Sequence, residues 1–217
     1  MFDGFLRVAA ATPDIRVADC NFNGASAAAL VSEAYEQGVS LLVLPELCLT
    51  GYTCSDLFLQ ESLLDGAGKA LLTLTEATRD KNMVVLAGLP LTVNGVLYNV
   101  AAVLHDGDIL GFVPKSYLPT YSEFYEGRHY HSGADIETDV LFNGRTYPFG
   151  TRLLFRCRQM PAFTLGIEIC EDLWAAEPPS ISLALGGATI IANLSASNET
   201  IGKDCYRREI VHSPSAR

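Results

Sequence analysis

Segments with a helical apolar period alternate with short apolar runs along this chain, and a chain so patterned must lay strands side by side and pack helices on them. Phe5–Ala10 reads as a strand, Gly24–Gln37 as a helix with Ala27, Leu30, Val31, Ala34 and Tyr35 on one stripe, and Leu41–Leu44 as a buried strand. Leu63–Thr78 repeats the helical period and Met83–Ala87 the strand. Val96–Leu104 and Ile109–Val113 flank the turn His105-Asp106-Gly107-Asp108, which predicts a hairpin and some antiparallel pairing. Residues 119–152 carry no clear period and are expected to be irregular. Strands are expected again at Leu153–Arg156, Phe163–Ile169 and Thr189–Leu194, with helices near Pro179–Leu185 and over Lys203–Val211 and a polar tail behind them. No repeat or linker interrupts residues 1–217, so they read as one α/β domain.

Charge and cysteine usage narrow the function. Twenty-five Asp and Glu against fifteen Lys and Arg give a net charge of −10, which argues against nucleic acid as a partner. No apolar run approaches the roughly 20 residues that span a bilayer. Met1-Phe2-Asp3-Gly4 also lacks the features of a secretory signal, so no membrane partner and a cytoplasmic location are expected. The six cysteines contain no Cys-x-x-Cys pair and read as reduced thiols. His129-x-His131 has no second ligand pair at a suitable spacing, so no metal is expected.

Three apolar strand candidates stop at a reactive side chain: Leu-Val-Leu-Pro45-Glu46, Gly-Phe-Val-Pro114-Lys115 and Leu-Gly-Ile-Glu-Ile-Cys170. Side chains leaving the carboxyl ends of strands converge on one crevice, so the three are candidates for one site. Together they supply what amide hydrolysis requires. A thiol with a pKa of about 8.5 needs a neighbouring base or cation to become a good nucleophile. Glu46 is the candidate base, and a carboxyl group that takes the thiol proton can pass it to the leaving nitrogen. Lys115 is the candidate cation, which offsets the carboxylate charge and stabilises a developing oxyanion.

At these residues the sequence resembles the carbon–nitrogen hydrolase (nitrilase) superfamily, whose Glu-Lys-Cys set matches Glu46, Lys115 and Cys170. The stretches Thr50–Phe58, Pro148–Phe155, Ile167–Trp174 with Pro178-Pro179-Ser180, and Asn193–Asn198 with Gly202-Lys203 resemble the glutaminase domains of glutamine-dependent NAD+ synthetases. The resemblance implies a nitrilase-like α-β-β-α sandwich, which the alternation and hairpin allow without choosing it over a doubly wound sheet. It implies that this domain is C-terminally incomplete, and that the synthetase domain is absent, since no phosphate-binding glycine loop occurs in residues 1–217.

The resemblance also implies roles. Cys170 attacks the glutamine amide, Lys115 and the backbone N–H of Glu171 hold the oxyanion, Glu46 moves the proton, and Glu126 orients the lysine and the base. Tyr121, Ser197 and Lys203 are implied at the amino-acid end of glutamine, Tyr52 and Phe124 at the pocket wall, and the Glu171 carboxylate on the substrate ammonium. The implied products are glutamate and ammonia, formed through a thioester, with ammonia passed to a synthetase. No cofactor is expected in this domain, ATP and Mg2+ serving only the synthetase, and homo-oligomers are implied. Two alternatives stay open at this point: a stand-alone amidase acting on another small amide, and an inactive interaction module.

Overall fold

The computed structural model describes residues 4–216. Ten strands form two sheets. The larger holds β1 (Val8–Ala10), β2 (Leu41–Val43), β3 (Val84–Val93), β4 (Val96–His105), β5 (Asp108–Pro114), β6 (Glu137–Phe142) and β7 (Arg145–Gly150), in the order β1-β2-β3-β4-β5-β7-β6. The smaller holds β8 (Phe155–Arg156), β9 (Thr164–Ile169) and β10 (Ile190–Leu194), in the order β10-β9-β8. β1, β2 and β3 are parallel, β4 is antiparallel to β3 and β5, and β9 and β10 are parallel. The carboxyl ends of β2, β3 and β5 therefore share one edge of the large sheet.

Helices α1 (Cys20–Glu36) and α2 (Glu61–Ala77) cover one face of the large sheet, and the small sheet covers the other. Helix α4 (Pro179–Leu185) packs on the small sheet, so the order of layers is α-β-β-α, as the resemblance implies. Strand alternation creates two cores. Along β4, Tyr98, Val100, Ala102 and Leu104 face the helices with Val31, Leu71 and Leu74. Ala101 and Val103 face the small sheet with Leu165, Ile167 and Ile169. Each fully buried Leu, Ile or Val contributes about 1.5–3 kcal/mol over its exposed state.

The sequence-based boundaries need three corrections. Residues 119–152 are not irregular: they hold a one-turn helix α3 (Glu126–His129) and the β6–β7 hairpin. β3 and β4 form a second unforeseen hairpin of ten residues per strand. Their turns are Asn94-Gly95 and Asn143-Gly144, and all four residues have positive φ, as does the foreseen Asp106-Gly107 pair. That conformation matches the right-handed twist of paired strands and is cheapest for Asn, Asp and Gly. The polar tail is helical instead, since α5 runs from Lys203 to Ser215. On α1, Tyr35 faces solvent, while Asn23 is buried, holding the Arg16 backbone and donating to Leu49 O.

Candidate active site

Glu46, Lys115 and Cys170 follow β2, β5 and β9 and meet between the two sheets. Two strand ends reach the site through unusual backbone. Leu47, next to Glu46, and Cys170 itself have φ of 52° and 45°, a conformation costly for side-chain-bearing residues and common where a turn must aim a functional group. Gly88 on β3 lets the Glu46 turn lie against the sheet: a Cβ there would sit 2.3 Å from Leu47 N and 2.7 Å from Glu46 Cα, both backbone atoms. Gly88→Ala is accordingly expected to destabilise the protein by about 3 kcal/mol or more in urea unfolding, since backbone must move to admit the methyl group. A loss under about 1 kcal/mol would mean that the turn is not clamped.

Lys115 is fully buried and Glu46 and Glu126 nearly so. Lys115 Nζ donates to Glu46 Oε1 and to Glu126 Oε1, each at 2.6 Å. Burial alone would depress the ammonium, but the two carboxylates outweigh it and hold Lys115 above its ordinary pKa. Burial raises the Glu126 carboxyl against the opposing pull of Lys115. Glu46 Oε2 accepts from Ala196 N at 3.0 Å, tying this carboxylate to the segment after β10. Glu126 Oε1 also accepts from the Tyr52 hydroxyl at 2.7 Å.

The Cys170 side chain is buried, with the Ser195 hydroxyl 3.3 Å from its sulfur. Burial first, then Glu46, pushes the thiol up to about 12, against the pull of Lys115, Ser195 and the Ala196 N–H. Lys115 thus acts on the thiol in the expected direction, and burial and Glu46 act against it.

Asp172 joins the turn that carries Cys170 to the strand end that carries Lys115. Its Oδ1 accepts from Ser116 N at 3.0 Å and Tyr117 N at 2.8 Å, and its Oδ2 from Ile169 N at 2.9 Å. Around the mouth, the Tyr121 hydroxyl donates to both oxygens of Glu171, at 3.0 and 3.1 Å. Lys203 Nζ donates to Ser197 Oγ at 2.8 Å and to Asn198 Oδ1, and it lies 4.9 Å from the Trp174 ring centroid. Phe124 packs edge-on between Tyr52 and Tyr121, with ring centroids 6.1 and 5.6 Å away. Of the site candidates, Glu46, Lys115, Glu126 and Tyr52 are joined by hydrogen bonds, Phe124, Tyr121 and Glu171 are linked to Tyr52 through ring contacts and one hydroxyl, and Ser197 bonds to Ser195, beside the Cys170 sulfur, and holds Lys203.

Sequence reasoning passed over Gly88, Asn99, Asp172 and the hydroxyl of Ser195. Asn99 alone left a signal: an amide inside the apolar run Val96–Leu104. The five remaining cysteines are also free, and Cys20, Cys48 and Cys54 are buried in the core. His129 pairs with Asp56 at 3.0 Å, and among the described residues no group of three His, Cys, Asp or Glu is placed to hold a metal. A cavity of about 420 Å³ lies at the other end of the sandwich, lined by Met83, Phe155, Met160 and Phe163 and by none of the candidate site residues. No helix among the described residues is long and apolar enough to cross a membrane.

Residues 7–209 match the carbon-nitrogen hydrolase family model. The glutamine-dependent NAD(+) synthetase of Mycobacterium tuberculosis is 45% identical over 214 residues, which are 99% of this chain and 32% of that protein. The enzyme of the same name from Thermotoga maritima is 35% identical over 205 residues, again 32% of its length. The chain therefore spans about a third of the length of these curated relatives. Among solved structures, a glutamine-dependent NAD(+) synthetase from Cytophaga hutchinsonii superposes with a TM-score of 0.83 at 29% identity, over 95% of this chain and 33% of that one. An amidase of the nitrilase superfamily from Nesterenkonia shares the fold, with a TM-score of 0.71 at 20% identity. The chain belongs to the carbon–nitrogen hydrolase family.

Proposed function

We propose that this domain hydrolyses the side-chain amide of glutamine to glutamate and ammonia, and that the ammonia feeds NAD+ synthesis in a synthetase domain. The observation that carries this reading is the Glu46–Lys115–Cys170 cluster, with the Glu171 carboxylate adjoining Cys170 in the chain and the Lys203 ammonium held on Ser197. Those two charges complement the α-ammonium and α-carboxylate of an amino acid. The names of the relatives support glutamine as that amino acid.

In this reading the Cys170 sulfur attacks the amide carbon while Glu46 takes its proton. The oxyanion is held by the Lys115 ammonium and the Glu171 N–H. Glu46 then protonates the departing nitrogen, ammonia leaves, and a thioester to Cys170 remains. Water, deprotonated by the same carboxylate, releases glutamate and restores the thiol. No cofactor enters these steps; ATP and Mg2+ belong to the synthetase. Further copies of the chain complete the partners of this reading, and a cytoplasmic location fits its six free cysteines.

Ammonia release from glutamine, asparagine and simple aliphatic amides tests the assignment. Glutamine is expected to exceed the others by about a hundredfold or more in kcat/KM. Lys203→Met is expected to raise KM for glutamine at least about tenfold while changing kcat by less than about threefold. Turnover without preference for glutamine would favour a general small-amide amidase. No turnover of any amide would favour an inactive interaction module.

A further inference from the structure

Asn99 lies on β4, on the face that Ala101 and Val103 continue into the core between the sheets, and it is 1% exposed. Its Nδ2 donates to Glu46 Oε1 at 2.7 Å and, at a longer 3.5 Å, to Glu126 Oε2. Its backbone carbonyl accepts from Lys115 N at 2.9 Å. One residue thus touches both carboxyl groups and the backbone of the lysine between them. Its Oδ1 has no hydrogen-bond partner, so the amide is held at its donor end. The carboxylates orient it, because an amide oxygen turned toward them would be repelled.

The lysine cannot tell its two carboxylates apart, since it donates to each at the same 2.6 Å. Asn99 can. Glu46 meets three close donors, Lys115 and Asn99 on Oε1 and Ala196 N on Oε2, which leaves Oε2 one lone pair for a proton. Glu126 has Lys115 and Tyr52 on Oε1, but Oε2 meets only the long contact from Asn99 and has room for a proton. Donation to a carboxylate favours its charged form. Resting on the amidohydrolase reading above, we infer that Asn99 is a positioning residue that keeps the negative charge on Glu46, so that this carboxylate and not Glu126 is the base facing Cys170.

Asn99→Leu keeps the shape and removes the donor; Asn99→Ala is the second variant should leucine not fold. Folding of each is checked by thermal unfolding, and kcat, KM and the pH profile for glutamine are compared with those of wild type. With the donor gone, the carboxyl pair holds its proton more tightly. The acid limb of kcat is expected to move up by about one pH unit and kcat at neutral pH to fall about 10- to 100-fold, with KM within about threefold. A purely structural asparagine would leave the acid limb in place. A folded variant with an unmoved acid limb and near-wild-type kcat overturns the inference. If wild type itself does not hydrolyse glutamine, the glutaminase reading fails separately, and Asn99 is judged by the pH dependence of Cys170 alkylation with iodoacetamide. A profile moved upward in the variant supports the positioning role, and an unmoved one overturns it.

Discussion

Lys115→Met is expected to destabilise the protein by about 3–5 kcal/mol and to lower glutamine hydrolysis at least about a thousandfold. The lysine is the one cation in direct contact with two buried carboxyl groups, each 2.6 Å from its nitrogen. Methionine fills much the same volume, so packing is largely spared and the loss is electrical. Two carboxylates left facing each other in a dry site cannot both stay charged, and one must take a proton. The base is then neutralised in part of the molecules, and the oxyanion loses its counter-charge in all of them. Adding Glu126→Gln removes the stranded charge and is expected to recover about 1–2 kcal/mol of stability in urea unfolding without restoring turnover. If the single variant unfolds within about 1 kcal/mol of wild type, the ion cluster does not contribute to stability as its burial implies.

Cys170→Ala is expected to reduce hydrolysis by about 10^4-fold or more, because no other side chain is placed to form the acyl intermediate. Among the described residues Ser195, with its hydroxyl 3.3 Å from the sulfur, is the only oxygen nucleophile in hydrogen-bond reach of it, and no base among them is bonded to that hydroxyl. Turnover of the variant within about tenfold of wild type would remove Cys170 from the mechanism. The same pair of proteins reads the thiol. The ultraviolet thiolate absorbance of wild type minus variant is expected to show no step from neutral pH to about pH 10, given a thiol pushed up to about 12. The sign for stability follows from linkage: the folded-state value lies above that of an unperturbed thiol, so the folded protein holds the proton longer than the unfolded chain. Wild type should lose stability relative to Cys170→Ala as pH rises from about 9 toward 12. A thiolate step near neutrality would mean instead that Lys115 dominates the site.

The catalytic candidates were legible because each ends an apolar run. A glutamate after Leu-Val-Leu-Pro, a lysine after Gly-Phe-Val-Pro and a cysteine after Leu-Gly-Ile-Glu-Ile mark strand ends, and strand ends are where reactive groups collect. The helices α1 and α2 were legible through their apolar period, although Tyr35 sat on the wrong side of the stripe. The β3–β4 hairpin was missed although Asn94-Gly95 marked its turn, because Pro90 interrupts the apolar run and hides the strand that continues through it. The β6–β7 pair was missed because four of the six residues of β6 are exposed or nearly so, which leaves no alternation to read. The contacts that give Asn99, Gly88 and Asp172 their roles reach 41 to 56 residues along the sequence.

Local chemistry, then, sufficed to single out candidates for nucleophile, cation and base, to place each at a strand end and to set the α/β class, because apolar period and chain-breaking residues act over a few positions. The layering of two sheets, the equal grip of Lys115 on two carboxyl groups, the asparagine that bonds to both of them and the upward push on the buried thiol were decided by tertiary structure. They depend on distance and on exclusion of water, and both arise only when segments remote in the chain close over one another.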